Sequence, residues 1–242
     1  MKKIKLINYL KIKLYRPTRA LIRDIRINFY HNALYLYSYL LNKKINVVIG
    51  DSHSRIFYYK FPFIVNHIGG ATAFNLNNKN STIKSKYKTD KIISNLNEKR
   101  HKLVFSFGEI DCRIHVYRQY VKSGFSKDFS MIIDDIVNKY IFFLEEYNSK
   151  FEVIVLGMPT PGKQPNVYNY DHYADFETQW QIKEIFNKKL KMSCDHIGVK
   201  YIDIFTEFIG DDKFIDLKYC DDGVHLNENS IPKLKSKFYN AF

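Results

Sequence analysis

Apolar residues in this chain fall into two patterns: short continuous runs, and longer stretches where they return every three or four positions. The runs Ile45–Ile49, Lys102–Gly108, Phe151–Leu156 and Val199–Ile204 read as buried strands, and Asn66–Ala71 as a short strand feeding a glycine turn. The helical spacing is clearest over Phe129–Asn148, where Ile132, Ile133, Ile136, Tyr140, Phe143 and Leu144 share one face. Further helices are predicted near Asp90–Glu98, over Asp175–Ile197 (ending near Gly198) and over Ile231–Tyr239. At the N-terminus, residues 3–15 carry Ile7, Leu10 and Leu14 at helical spacing. Pro17 is expected to break this helix, and Thr18 to cap a second one running to about Leu41.

Between these elements, Arg55–Phe63 reads as a short helix or an irregular aromatic segment, and Asn75–Lys88 and Pro159–Asp171 as loops. Strands alternating with helices imply an α/β fold: three layers, α/β/α, around a parallel sheet of about five strands. The expected organisation is a helical arm over residues 1–44 and one α/β domain over 45–242. There is no internal repeat.

Composition refines this picture. The 242 residues, 45% hydrophobic and 26% charged, suit a globular chain with a sizeable core. The excess of lysine over arginine, 30 to 8, reads as the coding bias of an AT-rich genome. The formal charge of +13 is concentrated: residues 1–44 hold eleven Lys or Arg against the single acid Asp24. Such an arm could attract an anionic membrane surface, nucleic acid or an acidic glycan. Nucleic acid is the weakest of these, because no recognised binding motif accompanies the charge. Cys112, Cys194 and Cys220 make an odd count without metal-ligand spacing, which fits a reducing compartment. No apolar run approaches the ~18 residues of a membrane span, and no signal-peptide pattern is visible. A cytoplasmic location is the expectation, with no metal and no cofactor.

The chemistry-bearing residues gather at predicted strand ends. Gly50-Asp51-Ser52-His53-Ser54 follows the first strand, where a tight turn can hold a serine hydroxyl out at the carboxyl edge of the sheet. Gly69-Gly70 and Gly108-Glu109-Ile110-Asp111-Cys112-Arg113 follow the next two, and Asp222-Gly223-Val224-His225 lies near the C-terminus. Serine, histidine and aspartate are the parts of an acyl-transfer triad, whatever their sequence separation.

This order of motifs resembles the SGNH (GDSL-like) hydrolase superfamily over roughly residues 45–240. The resemblance implies Ser52 as nucleophile, His225 as general base and later acid, and Asp222 as the carboxylate that orients the imidazole. It also implies an oxyanion hole from the backbone N–H groups of Ser52 and Gly70 (or Gly69). The family's third block is Gly-x-Asn-Asp, with the asparagine as an oxyanion donor. Here that position is Ile110, so Arg113, a water or a protonated Glu109 replaces the amide, or the hole is depleted. Glu109, Asp111 and Arg113 are accordingly substrate-binding candidates, or else an ion-pair network at a strand end. The string Gly-Glu-Ile-Asp-Cys-Arg, with Gly-Asp-Ser-His-Ser, further resembles a bacterial subgroup associated with surface-polysaccharide loci. Together these resemblances imply an esterase or O-acyltransferase acting on an acyl, foremost O-acetyl, ester of a carbohydrate. Two rivals stand beside it: a catalytically weak glycan-binding or scaffold protein, and a lipid-active esterase or thioesterase. His53 and His115 read as neighbours of the site, and Cys112 as a small buried hydrophobe.

Overall fold

A computed structural model of the chain describes residues 2–162 and 174–240, with side chains from Leu21 to Tyr239. Five strands, β1 (Ile45–Gly50), β2 (Phe63–His67), β3 (His101–Ser106), β4 (Glu152–Leu156) and β5 (Lys200–Ile202), pair in the order β2-β1-β3-β4-β5, all parallel. The chain first moves from β1 to one side and then returns to β3 on the other. The crevice between the ends of β1 and β3 is therefore the topological switch point, where open parallel sheets place their sites. Register aligns Gly50 with His67 on one side and Ser106 on the other, so the loops after β1, β2 and β3 leave the sheet at one level.

A parallel sheet needs cover on both faces, which is why its strands read as continuous apolar runs. One face presents Val47, Ile49, Leu103, Phe105, Val153 and Val155 to helices α4 (Phe129–Asn148) and α5 (Phe176–His196). The other presents Val48, Val65, Val104, Ile154 and Leu156 to Phe57, Phe208 and helix α6 (Ile231–Asn240), which contributes Leu234 and Phe238. Asp128 and Asp175 cap α4 and α5 by accepting the N–H groups of Met131 and Thr178. Gly198, at φ +68°, ends the α5 segment, and Val199 N–H closes back on Cys194 O. The described architecture is the three-layer α/β/α arrangement that the sequence pattern implies.

Gly50 sets how closely β1 and β3 approach at the site. A Cβ there would lie 2.7 Å from Ser106 O and 2.9 Å from Ser54 Cβ. Backbone cannot step aside as a flexible side chain can. Gly50→Ala is expected to destabilise by about 3 kcal/mol, lowering Tm by roughly 6–12 °C. An unchanged melting curve would refute this packing.

Several elements differ from the sequence pattern. The N-terminal arm is one continuous helix, α1 (Lys2–Leu41), so Pro17 does not break it. A proline removes one N–H and bends a helix without having to end it. The second half of α1 docks on the domain: Leu34 enters the core, Tyr35 meets His101 edge-on, and His31 Nε2 accepts the N–H of Val65 on edge strand β2. Strand β2 starts earlier than predicted, at Phe63. Helix α2 (Ser85–Ile93) lies N-terminal to the expected position, inside a Lys- and Asn-rich stretch. A π-helical turn, Asp111–His115, and helix α3 (Val116–Lys122) follow β3 where the pattern predicts neither. Beyond Gly162, the predicted loop Pro159–Asp171 lies outside the described residues.

Candidate active site

Strand β1 ends because its last backbone groups are taken by a turn. Asp51 N–H still reaches Ser106 O on β3 at 3.2 Å, and its carboxylate Oδ1 then accepts His53 N–H at 2.9 Å. Ser54 closes the turn twice, donating from N–H and from Oγ (2.7 Å) to Asp51 O. These bonds cap the 3₁₀ segment Ser52–Phe57 and direct Ser52, unlike the fully buried Ser54, to an open cleft. Asp51 itself is buried. Desolvation and the nearby Glu109 charge push its carboxyl well above the usual range.

The loop after Cys220 brings the second half of the site back to this turn. Asp222 Oδ1 accepts the N–H groups of Val224 (2.9 Å) and His225 (2.7 Å), folding the loop around its own carboxylate. The other oxygen, Oδ2, meets His225 Nδ1 at 2.7 Å, and His225 Nε2 lies 2.8 Å from Ser52 Oγ. A carboxylate only accepts, so Nδ1 carries the proton and Nε2 accepts the Ser52 hydroxyl hydrogen. Burial by itself raises the Asp222 carboxyl, but the hydrogen bonds from His225 and Val224 outweigh it and hold the group at about 2. Neighbouring Asp221 instead accepts from Asn227 Nδ2 at 2.7 Å. The three-residue offset thus picks the aspartate that contacts the imidazole.

The glycine turn after β2 places Gly69 at φ +98° and leaves Gly70 exposed, with its vacant Cβ direction 3.7 Å from Ile110 Cδ1. The turn and the position where the family pattern carries asparagine are therefore in contact, and the side chain there is aliphatic. The N–H groups of Ser52 and Gly70 have no acceptor among the described residues, so both are available as donors.

Beside the triad lies a buried charged network. Glu109, 2% exposed, receives Arg113 Nε at 2.7 Å and faces Lys183 Nζ at 3.9 Å and His53 Nε2 at 3.8 Å. Burial alone raises the Glu109 carboxyl. The charges of Lys183 and Arg113, with the Arg113 hydrogen bond, outweigh it and hold the group below its ordinary value. An ionised Glu109 excludes the protonated form as a substitute oxyanion donor. Asp111 is fully buried, with its oxygens taken by the N–H groups of Ala73 (2.7 Å) and Phe74 (3.3 Å). It ties the loop after β3 to the loop after β2, and burial raises it to about 7 in spite of those bonds. None of Glu109, Asp111 and Arg113 lines the Ser52 cleft, and Glu109 and Arg113 line a separate cavity of about 120 Å³ with Gln179, Lys183 and Val224.

No protein-family model and no curated protein sequence matches the chain. Solved structures do. The chain superposes on a GDSL-like lipase from Bacteroides thetaiotaomicron with a TM-score of 0.52 at 14% identity, covering 82% of this chain and 87% of that one. A member of the lipolytic G-D-S-L family from Veillonella parvula gives 0.52 at 15% identity, over 82% and 98% of the two chains. A catalytic mutant of Axe2, an acetylxylan esterase from Geobacillus stearothermophilus, gives 0.51 at 14%, over 82% and 93%. The chain has the SGNH (GDSL-like) hydrolase fold. Within that SGNH fold, Ser52, Asp222 and His225 come together, Gly69-Gly70 and Ile110 adjoin one another, and Glu109 and Arg113 of the third block pair with each other.

Sequence reasoning misses Lys183 and Gln179 on α5. Both are buried, and Gln179 Nε2 donates to Arg113 O at 2.8 Å. A signal is present: Gln179, Lys183 and Asn187 recur every four residues beside the apolar positions Ile182, Phe186 and Leu190. Glu109→Ala would leave the Lys183 ammonium buried without the carboxylate that faces it. A loss of about 3–5 kcal/mol in urea unfolding is expected, and a loss below 1 kcal/mol (a typical exposed pair) would contradict the network's role. His53 is a neighbour, in line with the sequence. Its ring lies 4.8 Å from that of His225, and burial pushes it down to about 3, so it stays neutral.

Proposed function

We propose that this chain is a serine esterase or O-acyltransferase acting on O-acetyl esters of a carbohydrate. The observation that carries the reading is the unbroken line Asp222 Oδ2–His225–Ser52 Oγ, with both links under 3 Å, opening into a solvent-accessible cleft. Ser52 Oγ attacks the acyl carbon while His225 Nε2 takes its proton. The N–H groups of Ser52 and Gly70 receive the developing oxyanion. Collapse expels the sugar alcohol, which collects the proton from His225, and leaves an acyl-Ser52 ester. Water, or a second sugar hydroxyl, then attacks that ester with His225 again as base. Asp222 remains ionised and steadies the imidazolium in both halves.

The cleft supports a carbohydrate substrate. It measures about 550 Å³, and its lining includes Arg55, Tyr58, Tyr59, Asp221, Asn227 and Glu228. Aromatic rings among amides and charges offer stacking faces and directional hydrogen bonds, which suits a sugar better than a long acyl chain. The acetylxylan esterase among the fold's solved neighbours is consistent with this choice. Acetate release, or acetyl transfer, from O-acetylated oligosaccharides should exceed cleavage of long-chain p-nitrophenyl esters. Preference for the long chains would overturn the substrate class and favour the lipid-active alternative.

One observation favours the weakly catalytic alternative: Ile110 offers no hydrogen bond beside Gly70. A single oxyanion donor is commonly worth ~10²–10³ in rate. Ile110→Asn is therefore expected to raise kcat on acetyl esters by ~10-fold or more. An unchanged kcat would mean that the existing donors already suffice.

A further inference from the structure

Helix α1 has two apolar faces, and the domain uses only one. Tyr30, Leu34, Tyr35, Tyr37 and Ser38 turn toward the domain: Leu34 is in the core, Tyr30 packs against Tyr59 and Tyr37 against Phe61. Leu21, Ile22, Ile25, Phe29, Leu36 and Leu40 are each more than half exposed, Phe29 at 77%. At 100° per residue these six fall within a sector about 100° wide, pointing away from the docked face. An ordinary surface helix is polar on the side that faces solvent. This one presents aliphatic and aromatic residues there for about five turns.

The charge of the same segment identifies the occupant. Residues 1–44 carry eleven cations and one acid, so a second copy would bring another strongly basic arm against the first. An anionic lipid surface complements both properties, with its acyl region accepting the stripe and its headgroups the cations. No described helix is long and apolar enough to cross a membrane, so α1 would lie in the interface. We infer that α1 is a membrane-surface anchor that holds the domain on anionic lipid through Leu21, Ile22, Ile25, Phe29, Leu36 and Leu40. The inference is independent of the esterase reading.

Flotation of the full chain with phosphatidylglycerol-rich and pure phosphatidylcholine vesicles tests it, alongside the double variant Ile25→Glu/Phe29→Glu. Both positions are exposed, so an unchanged far-UV circular dichroism spectrum and melting curve are expected of the variant. The wild type should float with the anionic vesicles, less so at high salt, and the variant should lose partitioning by about 100-fold, from two anchors of this size. Failure to float, or equal flotation on both lipids, would overturn the inference. So would a wild-type dimer in sedimentation velocity that the double variant dissociates without any lipid binding, which would assign the stripe to a second copy.

Discussion

Ser52→Ala should lower kcat for p-nitrophenyl acetate by roughly 10⁴–10⁶-fold with little change in Tm. The fall is large because neither Ser54 nor Cys112 can take over as nucleophile. Ser54 lies two residues away but is fully buried, and its hydroxyl is bonded to Asp51 O. Cys112 is also buried, and desolvation pushes its thiol well above the ordinary value, away from the reactive thiolate. The stability cost is small because the turn is held by Asp51 and Ser54, not by Ser52. A variant that keeps a tenth of the activity would remove Ser52 from the mechanism. A variant that unfolds would show that the turn depends on Ser52 after all.

Asp222→Asn is the second large effect, with kcat expected to fall ~10⁴-fold. The reason is local. The Val224 and His225 N–H groups require an acceptor at the inner oxygen, so the asparagine carbonyl would take that place. Its NH₂ would then face His225 Nδ1 and force that nitrogen to accept. The imidazole proton would move to Nε2, which would donate to Ser52 instead of removing its proton. The pH profile gives a second readout. With Asp222 held at about 2, below an ordinary aspartate, its contribution to stability is present above the unfolded value and is lost only as pH falls through about 2. Protonation of Asp222 is therefore not expected to lower wild-type activity in mild acid, and a kcat profile from about pH 4 to 8 checks this. A drop below tenfold in Asp222→Asn would contradict the orienting role.

Periodicity and burial account for what is legible in the sequence. Helix α4 is legible to the residue because its apolar positions repeat without interruption and Asp128 precedes them as a cap. Strand β1 is legible because both its faces are covered, leaving a continuous Val-Val-Ile run. The loop-side elements are not. In α2 most positions are polar or only half-buried, so tertiary contacts through Ser85, Thr89 and Ile93 set its place more than pattern does. The π-turn at Asp111–His115 has no sequence period of its own. Pro17 reads locally as a breaker, yet the helix continues through it.

The site divides the same way. Ser52, Asp222 and His225 are recoverable from a strand-end serine and a three-residue offset, because the contacts that shape each loop are short-range. The placement of Glu109 and Asp111 involves Lys183, Ala73 and Phe74, which are distant in sequence. No local motif carries that information.

The central claim is that Ser52 is a nucleophile activated by His225, and active-site labelling tests it most directly. Wild-type protein treated with a fluorophosphonate probe should gain one adduct mass, mapped by peptide sequencing to Ser52. Ser52→Ala should gain none, and His225→Ala should label far more slowly. An unlabelled wild type, or an adduct on any other residue, would contradict the account.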